Sequence, residues 1–417
     1  MSFQSEFLRV LDERGLINQC TDLEGLDQLL STETVSAYIG YDPTAASLHV
    51  GHMISIIMLR RFQQAGHRPV VLVGGGTGMV GDPTGKDTQR NMLTEEVIAK
   101  NIEGIKGTFA KFIHFGDGNQ DAIMVNNADW LKKFGYLEFL RDFGPHFTIN
   151  RMLAFDSVKS RLDREQPLTF LEFNYMLLQG VDFLQLSRDY NVRLQMGGSD
   201  QWGNILNGVE LGRRIDAKPL FGLTCPLLLN SAGKKMGKTE SGAVWLDAEL
   251  MTPYDFWQYW RNVDDADVGK LLRMITDVPM DEIKKLEALE GAEINEAKKV
   301  LANEITTLVH GVEAAKNAQE TAENMFEQGR IGDDLPRFEV ARSQLKDGIK
   351  AFEALILTNL CSSNGDARRQ IKGGGGRVNG AAFADANQLV TLDDINNEDV
   401  IMISLGKKKH ALIIPVE

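Results

Sequence analysis

Short uninterrupted apolar runs alternate with helical patterns through the first half of the chain. Residues 35–42 and 69–73 read as buried strands, each followed by turn residues and then by apolar positions at helical spacing. Strands apolar on both faces suit a parallel sheet covered by helices on either side. Further strands are expected at 122–126, 191–196 and 226–229, with helices at 51–65, 128–143 and 170–189. The fold class of this half is therefore α/β. From about 252 to 328 the pattern turns helical with almost no strand signal, which predicts a helical domain over 248–330. GRIGDDLPRFE, 329–339, carries glycine, proline and acids and marks a linker, bounded at 331–344. After it come two short helical patterns, a GGGG run at 373–376 and strand-like RVNG and VIMISLGKKKHALII, a small α+β module over 345–417.

Composition narrows the function classes. The 417 residues carry a net charge of −13, which argues against indiscriminate coating of nucleic acid, where phosphate contacts need positive charge. That charge is uneven: residues 341–417 hold ten basic against nine acidic side chains, a near-neutral module behind an acidic body. Three scattered cysteines, Cys20, Cys225 and Cys361, fit neither a disulfide framework nor a metal-ligand spacing, and imply a reducing, cytoplasmic compartment. The N-terminus mixes charges into an amphipathic pattern unlike a secretory signal, and no run of about 18 apolar residues offers a membrane span.

Two phosphate-binding patterns in VVLVGGGTGMVGDPTGK are misleading. Gly76-Thr77-Gly78-Met79-Val80-Gly81 fits the dinucleotide fingerprint, but Asp82-Pro83 follows where a helix should open. A P-loop ending in Gly85-Lys86 would need glycine at Val80 and a hydroxyl at Asp87. A loop built only for tight turns remains the alternative.

The pair His49 and His52, around Gly51, stands where a strand ending in Tyr38–Thr44 meets a helix start. Alone, the pair reads first as one helix-capping and one satisfied core histidine. In an open α/β sheet, however, that crevice binds ligands and the helix end favours phosphate. Zinc lacks the further Cys or His it would need. Far downstream, Gly233-Lys234-Lys235-Met236-Gly237-Lys238-Thr239-Glu240-Ser241-Gly242 is a glycine-flanked basic loop; such lysines can close over a polyphosphate and stabilise a leaving pyrophosphate.

His49-Val50-Gly51-His52 resembles the HIGH signature, and Lys235-Met236-Gly237-Lys238-Thr239 the KMSKS signature, of class I aminoacyl-tRNA synthetases. YDPTAASLHVGH, RRFQQAGHRPVVLVGGGTGMVGDPTGK, LQMGGSDQWGN and KKMGKTESG together resemble the bacterial tyrosyl members of that class, over nearly the whole chain. The resemblance implies a Rossmann-like parallel-sheet catalytic domain over 1–230 with a helical insertion near 130–190. It further implies a signature-loop region at 231–247, a helical anticodon-side domain and an S4-like RNA-binding domain at 345–417. It implies the substrates L-tyrosine, ATP and tRNA(Tyr), Mg²⁺ accompanying ATP, no tightly bound cofactor, no dedicated metal site and a homodimer through the helical insertion.

By the same resemblance Thr44, His49 and His52 contact ATP, and Asp42, Gly51 and Ser55 shape the nucleotide site. Lys86, Arg90, Lys235, Lys238 and Thr239 would embrace pyrophosphate; Asp200 would hold the adenosine ribose, and Gly198 would bind ATP beside it. Tyr38 and Asp182 would bind the substrate phenol, and Asp82, Tyr175, Gln179 and Gln201 the rest of the amino acid. Tyr175, Gln179 and Asp182 fall at helical spacing i, i+4, i+7, on one face. Arg368, Arg369, Lys372 and Arg377 would grip tRNA phosphates. Two alternatives stay open: a tryptophanyl member, against which Asp182 beside Tyr38 favours a phenol over a donor-only indole, and an inactive paralogue that binds structured RNA.

Overall fold

A computed structural model of the protein describes residues 3–82, 93–239, 242–327, 335–396, 399–406 and 409–416. The chain divides into two compact units, Met1–Asp247 with Asp264–Ala288, and Ala248–Val263 with Leu289–Glu417.

The first unit is built on a six-stranded sheet. Its strands are β1 (Gln19–Cys20), β2 (Ser36–Tyr41), β3 (Arg68–Val73), β4 (Ile123–Asn126), β5 (Val192–Gly198) and β6 (Phe221–Cys225), in the order β1-β6-β5-β2-β3-β4. All neighbours are parallel except β1, which lies antiparallel on β6. The chain runs outward from β2 to β4, then returns to β5 on the other side of β2. Order therefore reverses between β2 and β5, and the crevice beyond their C-terminal ends is where open α/β sheets bind ligands.

Helices Met53–Gln64, Phe170–Tyr190 and Trp202–Asp216 contribute to the covering of this sheet. Tyr38, Val70, Leu72, Phe183, Leu186 and Val192 are all buried together between sheet and helix, each such side chain contributing about 1.5–3 kcal/mol.

The expected strand at 226–229 is instead Phe221–Cys225, all five residues buried; Pro226 has no N–H for the ladder. The helix expected over 128–143 breaks into Ala128–Leu131 and Tyr136–Phe143, because extended Gly135 starts the second piece. Helices Asp265–Ile275 and Met280–Glu287, placed by sequence in the helical domain, belong to the first unit. Arginines hold them there: Arg14 donates to the carbonyls of Thr276 (2.8 Å) and Val278 (2.9 Å), and Arg61 to that of Thr276 (2.7 Å). These carbonyls follow the end of a helix and would otherwise lack partners.

In the second unit helices Pro253–Arg261, Ile294–His310 and Val312–Glu327 pack together, with Trp257 donating to Asn303 at 2.7 Å. Its five-stranded sheet runs Ala381–Ala382, Gly376–Val378, Ile401–Leu405, Lys409–Val416 and Arg337–Ala341. The last of these, parallel to Lys409–Val416, corrects the linker expected over 331–344: Arg337–Ala341 is a strand and Arg342–Asp347 a helix. Helix Asn364–Lys372 stops before Gly374, which takes the left-handed conformation (φ 74°), and Gly376 starts the next strand. Among the described residues no helix is long and apolar enough to cross a membrane.

Candidate active site

A cavity of about 680 Å³ opens at the crevice between β2 and β5. It is lined at once by His49 and His52, by Lys235 and Lys238, and by Tyr38 and Asp182. Two signatures almost 190 residues apart in the chain thus converge.

A backbone ladder brings them together. Segment 48–50 pairs with 244–246 through Val50 N–H to the Val244 carbonyl (2.8 Å) and Leu246 N–H to the Leu48 carbonyl (3.0 Å). Val244 N–H reaches the Gly237 carbonyl (3.0 Å), and the hairpin β7 (Lys238–Thr239) and β8 (Gly242–Ala243) grows from that point. Gly51 and Gly237 meet backbone to backbone: a Cβ on Gly237, itself at φ 103°, would lie 2.4 Å from the Gly51 nitrogen. A Cβ on Gly51 would lie 2.7 Å from the His49 ring. Gly51 is thus required by the close approach of the lysine loop and of His49.

The base of the lysine loop is tied down as well. Ser231 N–H donates to Asp267 (3.0 Å), the Ser231 hydroxyl to Asp264 (3.0 Å), and Lys270 to the Leu229 carbonyl (3.0 Å).

The histidines hold defined tautomers. His49 Nδ1 accepts from Gly51 N–H (3.0 Å), and His52 Nδ1 from His49 N–H (3.2 Å), so in each neutral ring the proton sits on Nε2. Burial, with His49 4.2 Å away ring to ring, pushes His52 down to about 3. His52 is a neutral donor at physiological pH. Ser55 supports it, donating to the His52 carbonyl (2.8 Å) while accepting from Tyr41 (3.0 Å).

The deeper end of the cavity is polar and buried. Asp182 is 2% exposed; its Oδ1 accepts from Trp130 Nε1 (2.8 Å) and its Oδ2 from Asn127 Nδ2 (2.9 Å). Burial nevertheless raises its carboxyl to about 7, against the lowering effect of those two donors. The Tyr38 hydroxyl is fully buried and has no hydrogen-bond partner among the described residues, an arrangement that costs free energy until a ligand supplies one. Helix Phe170–Tyr190, opened by a Thr169–Glu172 capping box, delivers Tyr175, Gln179 and Asp182 to the cavity on one face.

Tyr175 donates to Asp42 Oδ2 (3.0 Å) and Thr77 to Asp42 Oδ1 (2.8 Å). Asn127 donates to Thr77 (2.9 Å), so hydrogen bonds run continuously from Asp42 to Asp182. Gln201 donates to Asp82 (3.0 Å) and lies 3.4 Å from Gln179.

Thr44, Gly198 at the end of β5, and Asp200 line the same cavity, and Asp200 pairs with Lys235 at 3.0 Å. Lys86 and Arg90 lie outside the described residues, as does the Thr239 side chain. In the second unit, Arg368 stacks 3.8 Å over Phe352, Arg369 pairs with Asp366, Arg377 donates to the Gly380 carbonyl and Lys372 is exposed.

Sequence reasoning missed Thr77, Asn127, Trp130 and Gln195. Asn127 follows a strand's C-terminal end, which is a usable signal; Trp130 reads as core. Gln195 lines the cavity, and its buried Oε1 has no partner among the described residues. The glycine loop turns tightly against Asp42, where a Cβ on Gly74 would fall 2.2 Å from Asp42 Oδ1, and Thr77 donates to that carboxylate.

Residues 30–327 match the family of tRNA synthetases class I (W and Y), and residues 326–413 the tyrosine-tRNA ligase SYY-like C-terminal domain. The chain is 58% identical over 414 residues to a tyrosine-tRNA ligase of Mesorhizobium japonicum, covering 99% of each. It is 60% identical over 415 residues to one from a Caulobacter species, covering all of this chain and 99% of that one. Among solved structures, a C-terminally truncated mitochondrial tyrosyl-tRNA synthetase of Aspergillus nidulans aligns with TM-score 0.68 at 32% identity, covering 77% of this chain and 94% of that one.

Proposed function

The chain belongs to the class I tRNA synthetases of the tryptophan and tyrosine group, and on that premise we infer that it is a tyrosine-tRNA ligase. It joins L-tyrosine to ATP as tyrosyl-adenylate, releases pyrophosphate, and passes the tyrosyl group to the 3′ end of tRNA(Tyr). The observation that carries the choice of amino acid is the buried pair Tyr38 and Asp182. Asp182 keeps a lone pair for a donor and Tyr38 lacks a partner among the described residues, needs that one phenolic hydroxyl meets together. An indole N–H could satisfy Asp182 alone.

In the first step the tyrosine carboxylate oxygen forms a bond to the α-phosphorus while the bond from that phosphorus to the bridging oxygen breaks and pyrophosphate leaves. No side-chain nucleophile takes part; positioning and charge stabilisation do the work. His49 and His52 offer Nε2–H donors to phosphate oxygens, and burial keeps the His52 ring neutral. Lys235 and Lys238, with Lys86, Arg90 and Thr239 as expected from sequence, neutralise the departing pyrophosphate. Asp200 exchanges its ion pair with Lys235 for the ribose hydroxyls, and both partners of that pair are partly exposed, so the exchange costs little. Asp42, Gly51, Ser55 and Gly198 shape the nucleotide site. Asp82, Tyr175, Gln179 and Gln201 hold the amino-acid backbone end, and Mg²⁺ enters as part of the ATP substrate.

Arg368, Arg369, Lys372 and Arg377 are the proposed tRNA-phosphate contacts, and the cytoplasm the proposed compartment. A homodimer is proposed through the helices near 136–171, where Tyr136, Leu137, Ile149, Leu153, Phe170 and Leu171 are all exposed, an apolar surface unusual for a monomer. Tyrosine-dependent exchange of pyrophosphate into ATP tests the reading, and sedimentation of the Leu137→Asp variant tests the dimer.

A further inference from the structure

The histidine signature requires the His49 ring to keep its Nε2–H toward phosphate, and the hydrogen bond from Gly51 N–H to its Nδ1 lies at the exposed rim of the cavity. The second torsion of a histidine is broad and roughly two-fold, so a ring turned over would exchange the donor edge for carbon. Two rings flank this imidazole. His52 lies 4.2 Å away on one side, and Trp245 meets it edge to face at 6.0 Å and 68°.

Trp245 is held opposite His49 by the backbone. The two residues form an antiparallel bridge, framed by the hydrogen bonds of Val50 to Val244 and of Leu246 to Leu48. Lys111 anchors the same segment, its Nζ donating to the Leu246 carbonyl at 2.9 Å. Val244 in turn grips Gly237, the residue before Lys238. The indole thus sits on the strand that leaves the lysine hairpin, lines the catalytic cavity and packs on the histidine of the other signature.

We propose that Trp245 is a positioning residue for the adenylation step: its indole walls in the His49 imidazole and fixes the ring that donates from Nε2, tying that orientation to the lysine hairpin. The inference rests on the ligase reading, and acts through His49 rather than on substrate. Its signature is therefore energetic coupling between the two residues, which a double-mutant cycle isolates.

The test uses the full chain with Trp245→Leu, Trp245→Phe, His49→Ala and the double variant W245L/H49A, assayed by tyrosine-dependent pyrophosphate exchange. Trp245→Leu is expected to lower kcat about tenfold with the KM for tyrosine unchanged, as for loss of an orienting contact. Trp245→Phe, which keeps an edge-to-face ring, should recover most of it. In the His49→Ala background the same leucine change should cost less than about twofold. An equal loss in both backgrounds overturns the proposal, as does a leucine variant and a phenylalanine variant that both lose tyrosine binding. Should the wild-type chain give no exchange, the ligase reading fails separately, and nitrogen-15 NMR of the histidines still decides this one. His49 should show a single Nε2–H tautomer in the wild type and a mixture in Trp245→Leu; identical ring-nitrogen shifts overturn it.

Discussion

Asp182→Asn separates recognition of the phenol from the stability of its pocket. Both Asp182 oxygens accept, one from Trp130 and one from Asn127. An asparagine must set its NH₂ against one of those donors in either orientation, leaving a buried donor unmet at about 1–3 kcal/mol. Against this, the wild-type pocket carries a charge that burial disfavours. Its carboxyl rises from an ordinary 3.8 to about 7, worth about 4 kcal/mol at most once the group ionises. Between those two pH values the folded chain binds a proton that the unfolded chain has lost, so this group's contribution makes stability fall as pH rises from about 4 to about 7. The asparagine variant lacks that slope. For the substrate, loss of a hydrogen bond to a charged acceptor costs about 1.5–3 kcal/mol, roughly a 10- to 150-fold drop in kcat/KM for tyrosine. Phenylalanine, with no hydroxyl to place, should lose little. Pyrophosphate exchange with both amino acids and urea midpoints at pH 5 and 8 measure the two effects. Equal losses for tyrosine and phenylalanine, or an unchanged pH slope of stability in the variant, would refute the reasoning.

Tyrosine binding should weaken as pH falls below about 7, because the ionised Asp182 accepts from the phenol more strongly than the neutral acid; calorimetry in buffers of different ionisation enthalpy should detect proton release near pH 7. His52 and His67, pushed by burial down to about 3 and about 4, are neutral when folded and charge when unfolded below about 6.5. Their stabilising contribution is present above that pH and lost as pH falls toward 4 and 3. Consistently, the ring-nitrogen NMR shifts of His52 should show no titration near pH 6.5, and a midpoint there would mean that it charges in the folded chain. Gly237→Ala puts a Cβ 2.4 Å from the Gly51 nitrogen at a left-handed position, and should cut exchange by about 100-fold while leaving the dissociation constant for tyrosine within about twofold; a matching loss of tyrosine affinity would show that the glycine serves the whole fold.

The parallel sheet was legible because buried strands write themselves as apolar runs: VVLV became β3 and AIMVN became β4 almost as bounded. Phe221–Cys225 escaped because a glycine and a threonine dilute it, and the more apolar PLLL beside it drew the strand one step too far. The two signatures were readable as local strings; the ladder that joins Leu48–Val50 to Val244–Leu246 was not, since pairing partners across nearly 200 residues leave no local trace. For the same reason Asn127 and Trp130, which donate to Asp182, were invisible until the helix and β4 came together. The strand Arg337–Ala341 was hidden by the Gly-Asp-Pro composition preceding it. Helices Asp265–Ile275 and Met280–Glu287 were correctly helical by pattern, but which unit they join is decided by Arg14 and Arg61, charges whose targets no periodicity names.

The most direct measurement is exchange of labelled pyrophosphate into ATP by the purified chain, run in parallel with tyrosine, phenylalanine and tryptophan. Exchange should depend on tyrosine and stay near background with the other two, since only a phenol answers Tyr38 and Asp182 together. Exchange driven equally well by tryptophan, or by none of the three, would contradict it.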